Sequence, residues 1–105
     1  MKDNKTSFAH PPAFTQSALW SWNLSDLDVE KDKHLIITQI LNFGTQKMID
    51  WVMKTYSLPE IKEVVENPDR GSWWKRALNH WANVFQLKID KEKYNRAILN
   101  INPQG

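Results

Sequence analysis

The chain has 105 residues, 41% apolar and 25% charged, with a formal net charge of +2. That length accommodates one hydrophobic core, and the composition is ordinary for a soluble globular protein and too apolar for full disorder. The absence of cysteine excludes disulfide frameworks, cysteine metal sites and thiol nucleophiles; no apolar run approaches the roughly 20 residues of a membrane span, and residues 1–10 lack the apolar stretch of a secretory signal, so the chain reads as cytoplasmic.

Residues 1–17 read as a flexible tail. Its beginning is polar, and Pro11 and Pro12 can neither start a strand nor sit inside a helix. Phe8 and Phe14 are its large apolar groups and can dock on the body or on a partner. Residues 18–105 read as one helical domain. Between Ala18 and Leu27 the pattern alternates, so Trp20, Trp22 and Leu24 share one side of an extended arm. Those indoles either pack on the helices or form an aromatic patch for another protein, since Trp is enriched among interface anchors.

A first helix is expected from Val29 to Phe43, with Asp28 as N-cap and Gly44 in the usual position for a helix stop. Leu35, Ile36, Ile37, Ile40, Leu41 and Phe43 cover more than one face, which marks a largely buried helix. A second spans Thr45–Tyr56, with Met48, Ile49, Val52, Met53 and Tyr56 in one stripe. The third follows at once, because Ser57-Leu58-Pro59-Glu60 is a capping box with proline in the first turn. Its buried side is Ile61, Val64 and Val65. Residues 67–71 form a turn by composition.

The fourth helix is expected from Trp73 to Gln86, capped by Ser72. Trp73, Trp74, Ala77, Leu78, Trp81, Ala82, Val84 and Phe85 make its apolar side. Lys75, Arg76, Asn79, His80, Asn83 and Gln86 make the other, with no acid among them. A fifth runs from Lys91 to Leu99, with Asp90 as N-cap and Ile89 and Tyr94 spaced as a hydrophobic staple. Ile101 can pack behind it, and residues 102–105 fray. Three glycines are too few for the frequent turns of a β-sandwich. The expected fold is therefore all-α, a compact orthogonal array of four to five short helices with an extended N-terminal arm. The helices over 45–56, 59–67 and 72–86 would form a helix-turn-helix-like portion.

Catalytic chemistry is hard to find. His10, His34 and His80 lie in a tail and two separate helices, without the spacing of a helical zinc site, so no metal is expected. No phosphate loop, nucleophile elbow or convincing acid–base pair is present, so no cofactor and no enzymatic activity are expected. Charge is more informative. Residues 1–69 hold seven lysines against ten acids, a balance of −3, and residues 70–105 hold seven Lys or Arg against two acids, a balance of +5. Such asymmetry points to a face for an anionic partner. Arg70, Lys75, Arg76, Asn79, His80 and Asn83 are the candidate nucleic-acid residues: the cations release counterions from phosphates, and Asn can read base edges. The same sector also fits an acidic protein surface, or a face that is only solvated.

The order of residues resembles a known family. Trp22, Leu27, Glu30-Lys31-Asp32-Lys33, Ile36-Ile37, Ile40-Leu41 and Gly44 make a first block. Trp51, Tyr56, Glu60-Ile61 and Val64-Val65 make a second. Ser72, Trp81-Ala82-Asn83 and Phe85-Gln86-Leu87 make a third. This pattern, over residues 20–88, resembles small bacterial proteins encoded beside nucleotidyltransferase-like toxins of the abortive-infection type. The leader of residues 1–17 and the Trp73-Trp74 pair lie outside it. The resemblance implies an antitoxin that binds a toxin protein and can also bind operator DNA, and it implies no catalytic residues. Phe14, Trp20 and Trp22 would be the partner-binding candidates. The basic helix would hold operator DNA or mask an acidic pocket of the toxin by charge complementarity. Without a toxin, the same features fit a stand-alone helix-turn-helix-like regulator or a structural adaptor.

Overall fold

A computed structural model describes residues 9–99. Among these the fold is all-α, with five helices: α1 (Lys33–Phe43), α2 (Gln46–Thr55), α3 (Leu58–Glu66), α4 (Lys75–Val84) and α5 (Lys91–Ala97). Short 3-10 turns at Ala13–Thr15 and Leu24–Asp26 precede them. The chain divides into two compact units, with the division between Val52 and Met53.

In the first unit, residues 9–17 are not the loose tail expected. The N–H of Val29 donates to the carbonyl of Ala9 at 2.8 Å, the His10 ring donates from Nδ1 to the Leu27 carbonyl at 2.9 Å, and Thr15 is fully buried. These partners are distant in sequence, so composition alone could not reveal them. Phe8 lies outside the described residues. The extended arm is also absent. Ala18 N–H bonds to Thr15, Leu19 N–H to Thr15 and Gln16, and Trp22 N–H to Leu19, which winds the segment into successive tight turns. The Gln16 side-chain amide reinforces them by donating to the Leu19 and Trp22 carbonyls. With the chain turning, Ala18, Leu19 and Leu27 go inside and Trp20 stays out. Gln39 of α1 ties down the Ala18 carbonyl at 3.0 Å.

α1 starts later than the pattern suggests. The Asp28 carboxylate accepts from the N–H groups of Glu30 and Lys31, and Asp32 accepts from Asp28 N–H, so these acids close a turn ahead of the helix. Ile36, Ile37, Ile40 and Leu41 are buried, as their breadth on the wheel implied. Gly44 ends the helix with φ −81°, not in the left-handed region. A Cβ there would meet the Ile40 carbonyl oxygen at 2.6 Å. The requirement for glycine is one of space. Met48 and Val52 are the buried residues of α2.

In the second unit, α3 forms as its sequence dictates. Ser57 N–H donates to Glu60 Oε1 at 2.8 Å, and Ser57 Oγ accepts from Glu60 N–H at 3.3 Å, with Pro59 inside the first turn. Ile61, Val64 and Val65 are buried. Asp90 caps α5 through Lys93 N–H. α4, by contrast, begins at Lys75 rather than Trp73. Residues 73 and 98 form a parallel bridge: Trp73 N–H donates to Ala97 at 2.9 Å, and Leu99 N–H donates to Trp73 at 2.7 Å. Those bonds hold residues 73 and 98–99 extended, which delays α4 and stops α5 at Ala97. Ser72 is not the cap; its hydroxyl donates to the Asp69 carbonyl at 2.7 Å. Ile101 and residues 102–105 lie outside the described residues.

α4 ends in a Schellman turn, with Leu87 N–H bonding to Ala82 and Gln86 N–H to Asn83. Gln86 therefore sits at φ 56°, a left-handed conformation that costs a non-glycine residue about 1–2 kcal/mol. Gln86→Gly is expected to raise the stability by about 1 kcal/mol, read as a higher midpoint in thermal unfolding. A lower midpoint would contradict the assignment.

Candidate functional site

The basic candidates are set by the entry to α4. Gly71, at φ +63°, lets the chain turn, and its N–H donates to the Arg96 carbonyl at 2.8 Å. Together with the Trp73 bonds, this staples the start of α4 to the end of α5. Trp73 is wholly buried beneath the staple. From there α4 carries Lys75, Arg76, Asn79, His80 and Asn83, all exposed. At 100° per residue they fall within about 140° of the helix circumference. Leu78 and Trp81 lie on the other side and are buried. Val84 falls at the edge of the apolar side and is 52% exposed rather than core.

Arg70 is exposed in the turn just before α4. The six nucleic-acid candidates therefore all reach the surface of one unit. α4 contains no acidic residue, its first turn opens with Lys75 and Arg76, and the Trp74 side chain does not cap it. Cations at the positive end of a helix are unfavourable by about 0.3–1 kcal/mol each. The helix dipole thus opposes placing positive charge there. One candidate is partly committed to the fold: Asn79 Oδ1 accepts the Tyr94 hydroxyl at 2.8 Å, linking α4 to α5. His80 packs edge-on against Trp81, with ring centroids 4.8 Å apart. The connection from α3 to α4 runs over residues 67–74. That is longer than the turn of about three or four residues in a helix-turn-helix.

The aromatic candidates in the first unit have different settings. Trp20 is 57% exposed, and its ring stands edge-on to Phe43 at 4.9 Å between centroids. Trp22 is half-buried. Phe14 is also half-buried, with the Lys47 ammonium 4.5 Å from its ring centre. The sequence assigned Phe43 to the core; its role as a support for Trp20 leaves no local signal. Nor does sequence reveal Tyr94 and Asn95, which share a cleft with Lys75. Among the described residues no group of three or more His, Asp or Glu is placed to hold a metal ion, and no helix is long and apolar enough to cross a membrane.

Residues 14–65 match the model of a family of unknown function (DUF6922). The match covers Phe14, Trp20 and Trp22 and ends before α4, so the basic sector lies beyond it. No curated protein and no solved structure matches the chain.

Proposed function

We propose that this chain is the antitoxin of a bacterial toxin–antitoxin pair and neutralises a nucleotidyltransferase-like toxin by binding it in the cytoplasm. The reading draws on the sequence resemblance, and one observation carries it structurally. Trp20 is 57% exposed yet held edge-on against Phe43. A large indole left in water but fixed in place is a pre-organised anchor, which gives up little conformational freedom on binding. The activity proposed is binding, with no catalytic step.

The test is affinity purification of the tagged chain from its own host. A nucleotidyltransferase-like protein in stoichiometric amount is expected. Trp20→Ala is expected to weaken that complex by roughly 30-fold or more, the effect of an interface hot spot. The variant should stay folded, with an unfolding midpoint lowered by several degrees, because an edge-to-face pair of aromatic rings is worth about 0.5–1.5 kcal/mol. Undiminished toxin binding by the variant would remove Trp20 from the interface, and recovery without such a partner would remove the antitoxin reading.

A second reading concerns α4. Arg70, Lys75, Arg76, Asn79, His80 and Asn83 are all exposed, and no acid interrupts them within the helix. This favours nucleic acid as a further partner, either operator DNA of the antitoxin's own genes or the target of a stand-alone regulator. Steep loss of binding with rising salt is its signature.

A further inference from the structure

The cationic surface of the second unit does not stop at α4. Arg70 and Arg96 are far apart in sequence, but the bond from Gly71 N–H to the Arg96 carbonyl brings their segments together. Arg70, Lys75, Arg76 and Arg96 are all exposed. Of these, Lys75 also lines an open cleft of about 270 Å³, together with Tyr94, Asn95, Ile98 and Leu99. One lining residue is a cation, one an aromatic ring, one an amide and two are aliphatic. That set suits a flat, hydrogen-bonding heterocycle next to a negative charge. Trp74, directly before Lys75, is 38% exposed in the same basic stretch.

A duplex cannot use such a cleft, because its bases stay stacked and present only their edges in the grooves. A single strand can, because its bases are free to splay and to stack on aromatic side chains while basic residues follow the backbone. The long α3–α4 connection also departs from the turn that sets a recognition helix into a major groove.

We infer that this surface takes single-stranded nucleic acid, with a base in the cleft against Tyr94 and Asn95 and phosphates on Lys75 and the flanking Arg70 and Arg96. The inference rests on the nucleic-acid reading of α4 and narrows it from duplex to single strand.

The experiment uses the full chain and fluorescence anisotropy at low salt. The probes are a labelled mixed-sequence strand of about 12 nucleotides, within the site sizes of single-strand binders, and its duplex. The single strand is expected to bind about tenfold tighter or more, the scale of one base stacked on an aromatic ring. Tyr94→Ala is expected to remove that preference and leave duplex binding unchanged. Tyr94→Phe keeps the ring, loses the hydroxyl bond to Asn79, and should retain the preference. If Tyr94→Ala unfolds, Asn95→Ala at an exposed position of α5 is read in its place; it keeps the ring but loses one amide contact to the base, so the preference should shrink by a few-fold, and an unchanged preference would take the base out of this cleft. Duplex binding as tight as single-strand binding, weakened by Lys75→Glu, would overturn the single-strand inference while the nucleic-acid reading of α4 stood. Binding of neither probe would overturn both.

Discussion

Trp73→Ala is expected to destabilise the protein by about 3–5 kcal/mol, the range for emptying a buried aromatic site. Trp73 is fully buried and is the largest side chain so enclosed among the described residues. Its backbone also carries two of the hydrogen bonds that join residues 73 and 97–99. For a domain whose total stability is about 5–15 kcal/mol, this loss approaches unfolding. Trp73→Phe should behave differently. The indole Nε1 is buried without a hydrogen-bond partner among the described residues, and such an orphan donor costs about 1–3 kcal/mol. Phenylalanine leaves a small gap but removes the orphan, so the two effects oppose each other. Urea unfolding of the two variants separates the contributions. A Phe variant as unstable as the Ala variant would contradict the idea that removing the buried N–H offsets the gap.

Reversing charge at Lys75 and Arg76 is the change with the largest expected effect on nucleic-acid binding. Both side chains are exposed at the start of α4, where no acid lies close in the helix to offset them. Two charge-assisted contacts at about 1.5 kcal/mol each correspond to a loss on the order of a hundredfold in affinity. The slope of log affinity against log salt should become shallower by about two units for a duplex, somewhat less for a single strand. Folding should be unharmed, and Glu at these positions even suits the positive end of the helix. Anisotropy titrations of Lys75→Glu/Arg76→Glu over a range of salt concentrations supply both numbers. Unchanged affinity and slope would mean that this sector of α4 is only solvated.

The parts of the fold legible in the sequence are those written by neighbouring residues. Ser57 and Glu60 specify the start of α3 between themselves, and Asp90 specifies the start of α5. The polar sector of α4 follows from spacing alone. What sequence concealed depends on distant partners. Trp73 looked helical because it continues the apolar stripe of α4, yet it is extended because Ala97 and Leu99 bond to it. Residues 9–17 looked loose because Leu27 and Val29, which hold them, are elsewhere in the chain. A period of two puts Trp20 and Trp22 on one side of an extended chain, whereas the segment winds into tight turns that leave Trp20 exposed and Trp22 half-buried. The candidate surface divides in the same way. Its charges were visible in the balance of residues 70–105, whereas the cleft beside them exists only because α4 and α5 are joined at Asn79–Tyr94 and at Gly71–Arg96.

Gly44 sets a different kind of limit on how this sequence can drift. At most helix ends a glycine is kept for its torsion angles, and asparagine is an acceptable replacement. Here the backbone angles are open to any residue, and the obstacle is the Ile40 carbonyl oxygen at 2.6 Å together with the Ile40 side chain at 2.9 Å. Asparagine would fail as alanine would, since both bring the same first carbon. The corner between α1 and α2 is therefore a contact joint rather than a hinge. It follows Phe43 directly, so the support under Trp20 is built beside a point where the chain has no slack.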